Sequence, residues 1–141
     1  MRPRLLALCL TVLAARAAEP GDLHYSHAAV RKEIIAVVES QLAAFRASDF
    51  DQAYRFAAQG LRRQFTVARF TAMIARSYPL MLHNERAEFD LPQDDGLNAV
   101  LSVEVFAAGG HSAKYRYTFV KESAGWRIAG VVPEKPRESD A

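Results

Sequence analysis

Apolar residues recur every three or four positions as far as Tyr78-Pro79, and beyond it they alternate with polar ones every second position. This one change of period predicts three helices followed by a four-stranded antiparallel sheet. That is an α+β arrangement in which the helices cover one side of the sheet.

The first helix is predicted over residues 27–47. Val30, Ile34, Val38, Leu42 and Phe45 form its apolar stripe, widened by Val37, with Ser26 as its cap. Asp49 to Gln52 has the form of a capping box and opens a shorter helix to about residue 58. Phe50, Ala53, Tyr54 and Ala57 take its inner side, and Gln59-Gly60 ends it. Residues 61–65 read as a linker or single turn. Thr66 then caps a third helix in which Val67, Phe70, Met73 and Ile74 share a face. Pro79 disfavours helical geometry at Tyr78 and stops this helix.

The first strand is predicted over 83–91, with Ala87, Phe89 and Leu91 on one side and Arg86, Glu88 and Asp90 on the other. Pro92 to Gly96 makes a turn with Asp-Gly chemistry. In the second strand Leu97, Ala99, Leu101, Val103 and Val105 oppose Asn98, Val100, Ser102, Glu104 and Phe106. In the third, Ala113, Tyr115, Tyr117 and Phe119 oppose Lys114, Arg116, Thr118 and Val120. In the fourth, Trp126, Ile128, Gly130 and Val132 oppose Arg127, Ala129 and Val131, and Pro133 ends it. The predicted domain therefore spans 27–133, preceded by a flexible leader at 18–26 and followed by a charged, disordered tail at 134–141.

The N-terminus changes how the charge is read. Arg2 and Arg4 precede an apolar run over 5–15, and Ala15-Arg16-Ala17 places small residues where a signal peptidase reads them. This pattern predicts a signal peptide over 1–17, cleaved after Ala17 or Ala18, and export to the periplasm or beyond the cell. The run is shorter than the roughly 20 apolar residues a bilayer span needs, so no membrane span is expected after removal of the signal. Arg2, Arg4 and Arg16 leave with it, so 18 basic residues become 15 against 16 acidic ones. The formal charge falls to −1, which removes the electrostatic support for a nucleic-acid partner. Cys9, the only cysteine, leaves too, and the mature core must stand without a disulfide.

Three helices, then a sheet ending in Gly125-Trp126-Arg127-Ile128-Ala129-Gly130, resemble the nuclear transport factor 2-like superfamily. Within it the chain looks most like an uncharacterised bacterial family, domain of unknown function 4864. The resemblance rests on Gln41 to Phe45, Asp49-Phe50, Ala53-Tyr54, Gln64-Phe65, Phe70, Met73-Ile74, Tyr78-Pro79 and the Trp126 strand. It departs at Gln59-Gly60 and at His83-Asn84, where relatives are expected to carry a proline. The resemblance implies a curved sheet closed into a cone, with a pocket between helices and sheet. It also implies sheet-to-sheet dimers. It implies no activity, because this fold carries enzymes, binders and scaffolds alike.

Such a pocket would be lined by Phe45, Tyr54, Phe70, Ile74, Tyr78, Phe89, Leu101, Tyr115, Tyr117 and Trp126, a largely apolar set suited to a small apolar ligand. The candidates for chemistry are Tyr54 or Tyr78 to polarise a carbonyl and His83 or Asp90 to move a proton. Alternation places Asp90 and Glu104 on the polar side of the sheet, and His83 at a strand end. Asp22, His24 and His27 have a ligand-like spacing but no fourth donor nearby, so no metal is expected. No phosphate loop or nucleophile elbow occurs, and no cofactor is expected. Three functions follow: a non-catalytic module for a small ligand or partner protein, a small isomerase or dehydratase, or a structural homodimer. The last would use the far sheet face, where Val100, Phe106, Val120, Ala129 and Val131 interleave with polar residues.

Overall fold

The structure, a computed structural model, describes residues 21–135. The predicted signal peptide and most of the predicted tail lie outside the described residues. The described chain is α+β with an antiparallel sheet, and its elements are more numerous than the three helices and four strands predicted. In order they are β1 (His24–Tyr25), α1 (Ala28–Arg46), α2 (Phe50–Arg55), α3 (Gln59–Gln64), α4 (Val67–Ser77) and α5 (Pro79–Leu82). Then come β2 (Asn84–Phe89), β3 (Gln93–Asp94), β4 (Asn98–Ala107), β5 (Ser112–Glu122) and β6 (Gly125–Pro133). The sheet runs β1-β3-β4-β5-β6, and β2 pairs with the other half of the β4 edge that β3 uses.

The 19 residues of α1 give a rod of about 28 Å at 1.5 Å per residue. Ile34, Val37, Val38, Leu42 and Phe45 of the predicted stripe are buried, joined by Gln41 and Ala44, while Val30 is only partly covered. Asp49 caps α2 by accepting from the Gln52 N–H at 3.2 Å, and Thr66 caps α4 by accepting from Arg69 N–H at 3.2 Å. Helix α2 stops at Arg55, short of the predicted end. There the chain turns extended to pair with β6: Ala58 N–H donates to Ile128 O, and Ile128 N–H to Phe56 O, each at 2.8 Å. The predicted linker then coils into α3. Pro79 ends α4 as predicted, but it also opens α5 as that helix's first residue, a position where proline's missing N–H costs nothing.

The predicted leader is held to the sheet at its C-terminal end. His24 pairs with Asp94, and Tyr25 with Gln93. Ser26 does not cap α1, whose N-cap is His27. Its N–H instead donates to Pro92 O, and its hydroxyl to the buried Asp94 carboxylate. Next to it, Asp95 accepts from the N–H groups of Asn98 (2.7 Å), Leu97 (2.9 Å) and Gly21 (2.8 Å). What read as a simple turn at 92–96 is therefore a short strand with two carboxylates organising it. At the other end Glu134, predicted as tail, donates its N–H to Lys114 O at 2.8 Å and continues the β6 ladder.

Three register shifts correct the predicted alternation. In β6, Phe119 faces Ile128 while Thr118 faces Gly130, so Ala129 is an extra residue. Beyond it the faces exchange. Val131 packs against the core, while Val132 is 55% exposed. In β2, Asn84 faces Ala107 but Arg86 faces Phe106, which leaves Glu85 extra and Asn84 buried. Between β2 and β3, five residues (89 to 93) run beside four of β4 (103 to 100). That excess turns Leu91 out to water and Pro92 inward.

Asn84 is the point where helices and sheet meet. Its amide nitrogen donates to Leu42 O of α1 (3.0 Å) and to Met81 O of α5 (2.7 Å). Its oxygen accepts from the Arg46 guanidinium. Two donors and an acceptor are thus used, and only one orientation of the amide fits. Asn84→Ala is expected to lower stability by about 2–3 kcal/mol, since buried carbonyls lose their donor. Asn84→Asp should cost at least as much near neutral pH despite Arg46, because a carboxylate has nothing to donate to Leu42 and Met81. Urea midpoints at unchanged slope would show both losses; an Asn84→Asp variant as stable as the parent would sink this account.

The Asn98 and Leu97 N–H groups hold the Asp95 carboxyl down at about 2, against an ordinary 3.8. A depressed carboxyl contributes stability that is full above the unfolded value and is lost as pH falls through the folded one. Asp95→Asn should therefore flatten the stability–pH curve between about pH 3.8 and pH 2. Acid limbs that superimpose in the two proteins would assign that loss to other groups.

Candidate functional site

The residues predicted to line an internal pocket come together, but as core. Phe45, Phe70, Ile74, Leu101, Tyr115, Tyr117 and Trp126 are buried in one contiguous cluster, with Tyr54, Tyr78 and Phe89 half-buried against it. Their rings pack on one another: Phe45 on Phe70 at 6.2 Å between centroids, Tyr54 edge-on to Phe70 at 5.6 Å, and Tyr78 beside Tyr115 at 5.8 Å.

Within this cluster the tyrosine hydroxyls serve the fold. Tyr54 Oη lies 2.9 Å from Arg62 O and 2.7 Å from Phe65 O, where it secures the end of α3. Tyr78 donates to Val131 O at 2.7 Å, a contact that exists because the β6 bulge turns Val131 inward. The Tyr117 hydroxyl reaches only the Met81 sulfur, at 3.8 Å. Burial pushes the Tyr117 phenol far above its ordinary range. Tyr115 is raised for the same reason, with Tyr78 adding to it. These two phenols therefore remain protonated near neutral pH. Trp126 is 1% exposed, and its indole N–H has no acceptor among the described residues.

The two proton-moving candidates do not join them. His83 and Asp90 are exposed, and Asp90 lies 3.3 Å from the Lys114 ammonium. Glu104, on the outward side as predicted, accepts from Ser112 at 3.1 Å. His24 and His27 have their rings 5.8 Å apart. No group of three or more His, Cys, Asp or Glu side chains among the described residues is placed to hold a metal. No helix among them is long and apolar enough to cross a membrane.

A cleft of about 550 Å³ opens where the β2–β3 kink parts from β4. Tyr25, Leu91 and Val100 give it apolar surface, Gln93, Ser102, Asp90 and Arg116 give it polar groups, and Phe89 and Leu101 reach it from the core. Sheet register explains this grouping. Tyr25, Gln93, Val100 and Thr118 form one row across the outward face, and Ser102 and Arg116 stand in the next. Such rows are about 7 Å apart. Sequence reasoning missed the site because its rim is the segment read as leader and turn, and because alternation put Leu91 inside. The visible signal was Pro92, which interrupts the ladder.

Tyr25 is 66% exposed and Leu91 59%. Each forgoes burial worth about 1.5–3 kcal/mol, which a ligand resting on them would recover. The rest of the outward face is less apolar than predicted. The Arg86 guanidinium covers the Phe106 ring at 3.8 Å, and Val131 has left this face for the core.

Comparison with known proteins bears on the whole arrangement. No curated protein matches the chain. A family model described as Domain of unknown function (DUF4864) matches residues 27–141, which takes in, among the described residues, every helix, five of the six strands and all of the cleft but Tyr25. The chain belongs to the DUF4864 family.

Proposed function

We propose that this chain is an exported, non-catalytic binding module of the nuclear transport factor 2-like superfamily, and that it binds through the outward cleft. The superfamily reading is supported by helices preceding a bulged antiparallel sheet, with the Trp126 strand last. Export to the periplasm or beyond is supported by Arg2, Arg4, the apolar run after them and Ala15-Arg16-Ala17.

One observation carries the choice of binding over catalysis. Tyr54 and Tyr78 spend their hydroxyls on backbone carbonyls, while His83 and Asp90 stand in water. An isomerase site needs base and donor converging on one substrate position. The cleft instead sets the exposed Tyr25 and Leu91 side chains beside polar groups from Gln93, Ser102, Asp90 and Arg116, a surface that can hold a ligand by contact and hydrogen bonding without an acid–base pair.

Native mass spectrometry of the protein from its own cells tests both parts. The mature chain should begin at Ala18 or Glu19; an intact mass starting at Met1 would remove the export reading. A co-purifying molecule should be lost in Leu91→Glu and kept in Tyr78→Phe, which should cost only about 1 kcal/mol of stability. Retention in Leu91→Glu with loss in Tyr78→Phe would move the site into the interior.

A further inference from the structure

The charges around the cleft are unevenly matched. Asp90 is paired with Lys114, Glu104 accepts from Ser112, and Glu134 accepts from the Ser102 hydroxyl at 2.6 Å. Arg116, exposed on the cleft wall, has no carboxylate at ion-pair distance among the described residues. Gln93, half-buried on the opposite wall, likewise has no hydrogen-bond partner for its side-chain amide among them. From the strand and residue spacings, the two α-carbons are about 12 Å apart. Side chains of that length can converge on one group between them.

We infer that the cleft binds a small planar aromatic monocarboxylate. This rests on the reading of the cleft as the binding site. The acid lies against Arg116, whose planar fork matches a carboxylate with two parallel N–H donors. The Gln93 amide supplies a further donor. The aromatic body covers Val100 between Tyr25 and Leu91, and the Tyr25 ring offers a face for offset stacking. A volume of about 550 Å³ lies within the range of small-molecule sites. A cation would meet Arg116 and find Asp90, the carboxylate in the same lining, already paired with Lys114; a neutral body would leave the guanidinium unpaired.

The test uses three probes of one shape: 2-naphthoate, 2-naphthamide and 2-naphthylmethylammonium. Each is titrated into the ¹⁵N-labelled protein. Naphthoate should shift the amide signals of Gln93, Val100, Ser102 and Arg116, and bind about tenfold or more tightly than the amide. Arg116→Met keeps the aliphatic stem and should bring the acid to the amide's affinity without changing the amide's own. An amide that binds as well as the acid, or a preference that survives Arg116→Met, overturns the assignment. If the ammonium shifts these signals and the acid does not, the carboxylate class falls and the cleft stands. If none of the three shifts them, the cleft itself falls as the binding site.

Discussion

One buried amide sets how the helical layer sits on the sheet. Asn84 lies at the junction of the two layers. From there it contacts the carbonyl of Leu42 near the end of α1, the carbonyl of Met81 in α5, and the guanidinium of Arg46. Apolar packing is non-directional. It would hold α1 over the sheet at many angles and offsets. A side chain with its donors and acceptor all used accepts only one of them. The bulge at Glu85 makes this possible, because without it the residue turned inward would have been a different one.

The alternation of Ala99, Leu101, Val103 and Val105 against their polar neighbours was legible in the sequence, as was the stripe on α1. Long elements carry many repeats of their period, and burial of one face follows from it. The caps at Asp49 and Thr66 were equally plain, since each is a local hydrogen bond. What escaped notice was short or irregular. β1 and β3 hold two residues each and have no period at all. α5 holds four, led by a proline that read only as a stop. The bulges at Glu85 and Ala129 and the kink at Leu91-Pro92 are shifts between strands, and one strand's pattern does not record its partner's register. Those three shifts account for most of the misassigned residues, Leu91, Val131 and Val132 among them. The kink also accounts for the cleft, whose rim at Tyr25, Leu91 and Gln93 was misread, while Val100, Ser102 and Arg116 stand outward as predicted. The aromatic set, by contrast, was correctly placed inside, where it forms one contiguous cluster.

The division of labour between the two sheet faces follows. The inward face meets the requirements of folding and leaves its tyrosines little freedom. The Tyr54 and Tyr78 hydroxyls, from the helices above it, fasten α3 and β6, and burial raises the Tyr115 and Tyr117 phenols. The outward face has no such duty, and the kink between β2 and β3 opens on it at small cost. A kink that leaves Leu91 in water would be a defect in a core strand. At a sheet edge beside Tyr25 and Arg116 it forms a surface on which a ligand can rest.

Trp126 has a consequence for anyone following this protein by light. It is the only tryptophan in the chain, it is almost fully enclosed, its indole N–H has no acceptor among the described residues, and the Lys121 ammonium stands 5.8 Å from its ring. Its emission therefore reports chiefly on the interior. Events at the cleft, on the opposite face of the sheet, should change it far less than a loosening of helices from sheet. In this molecule folding and recognition occupy separate optical channels.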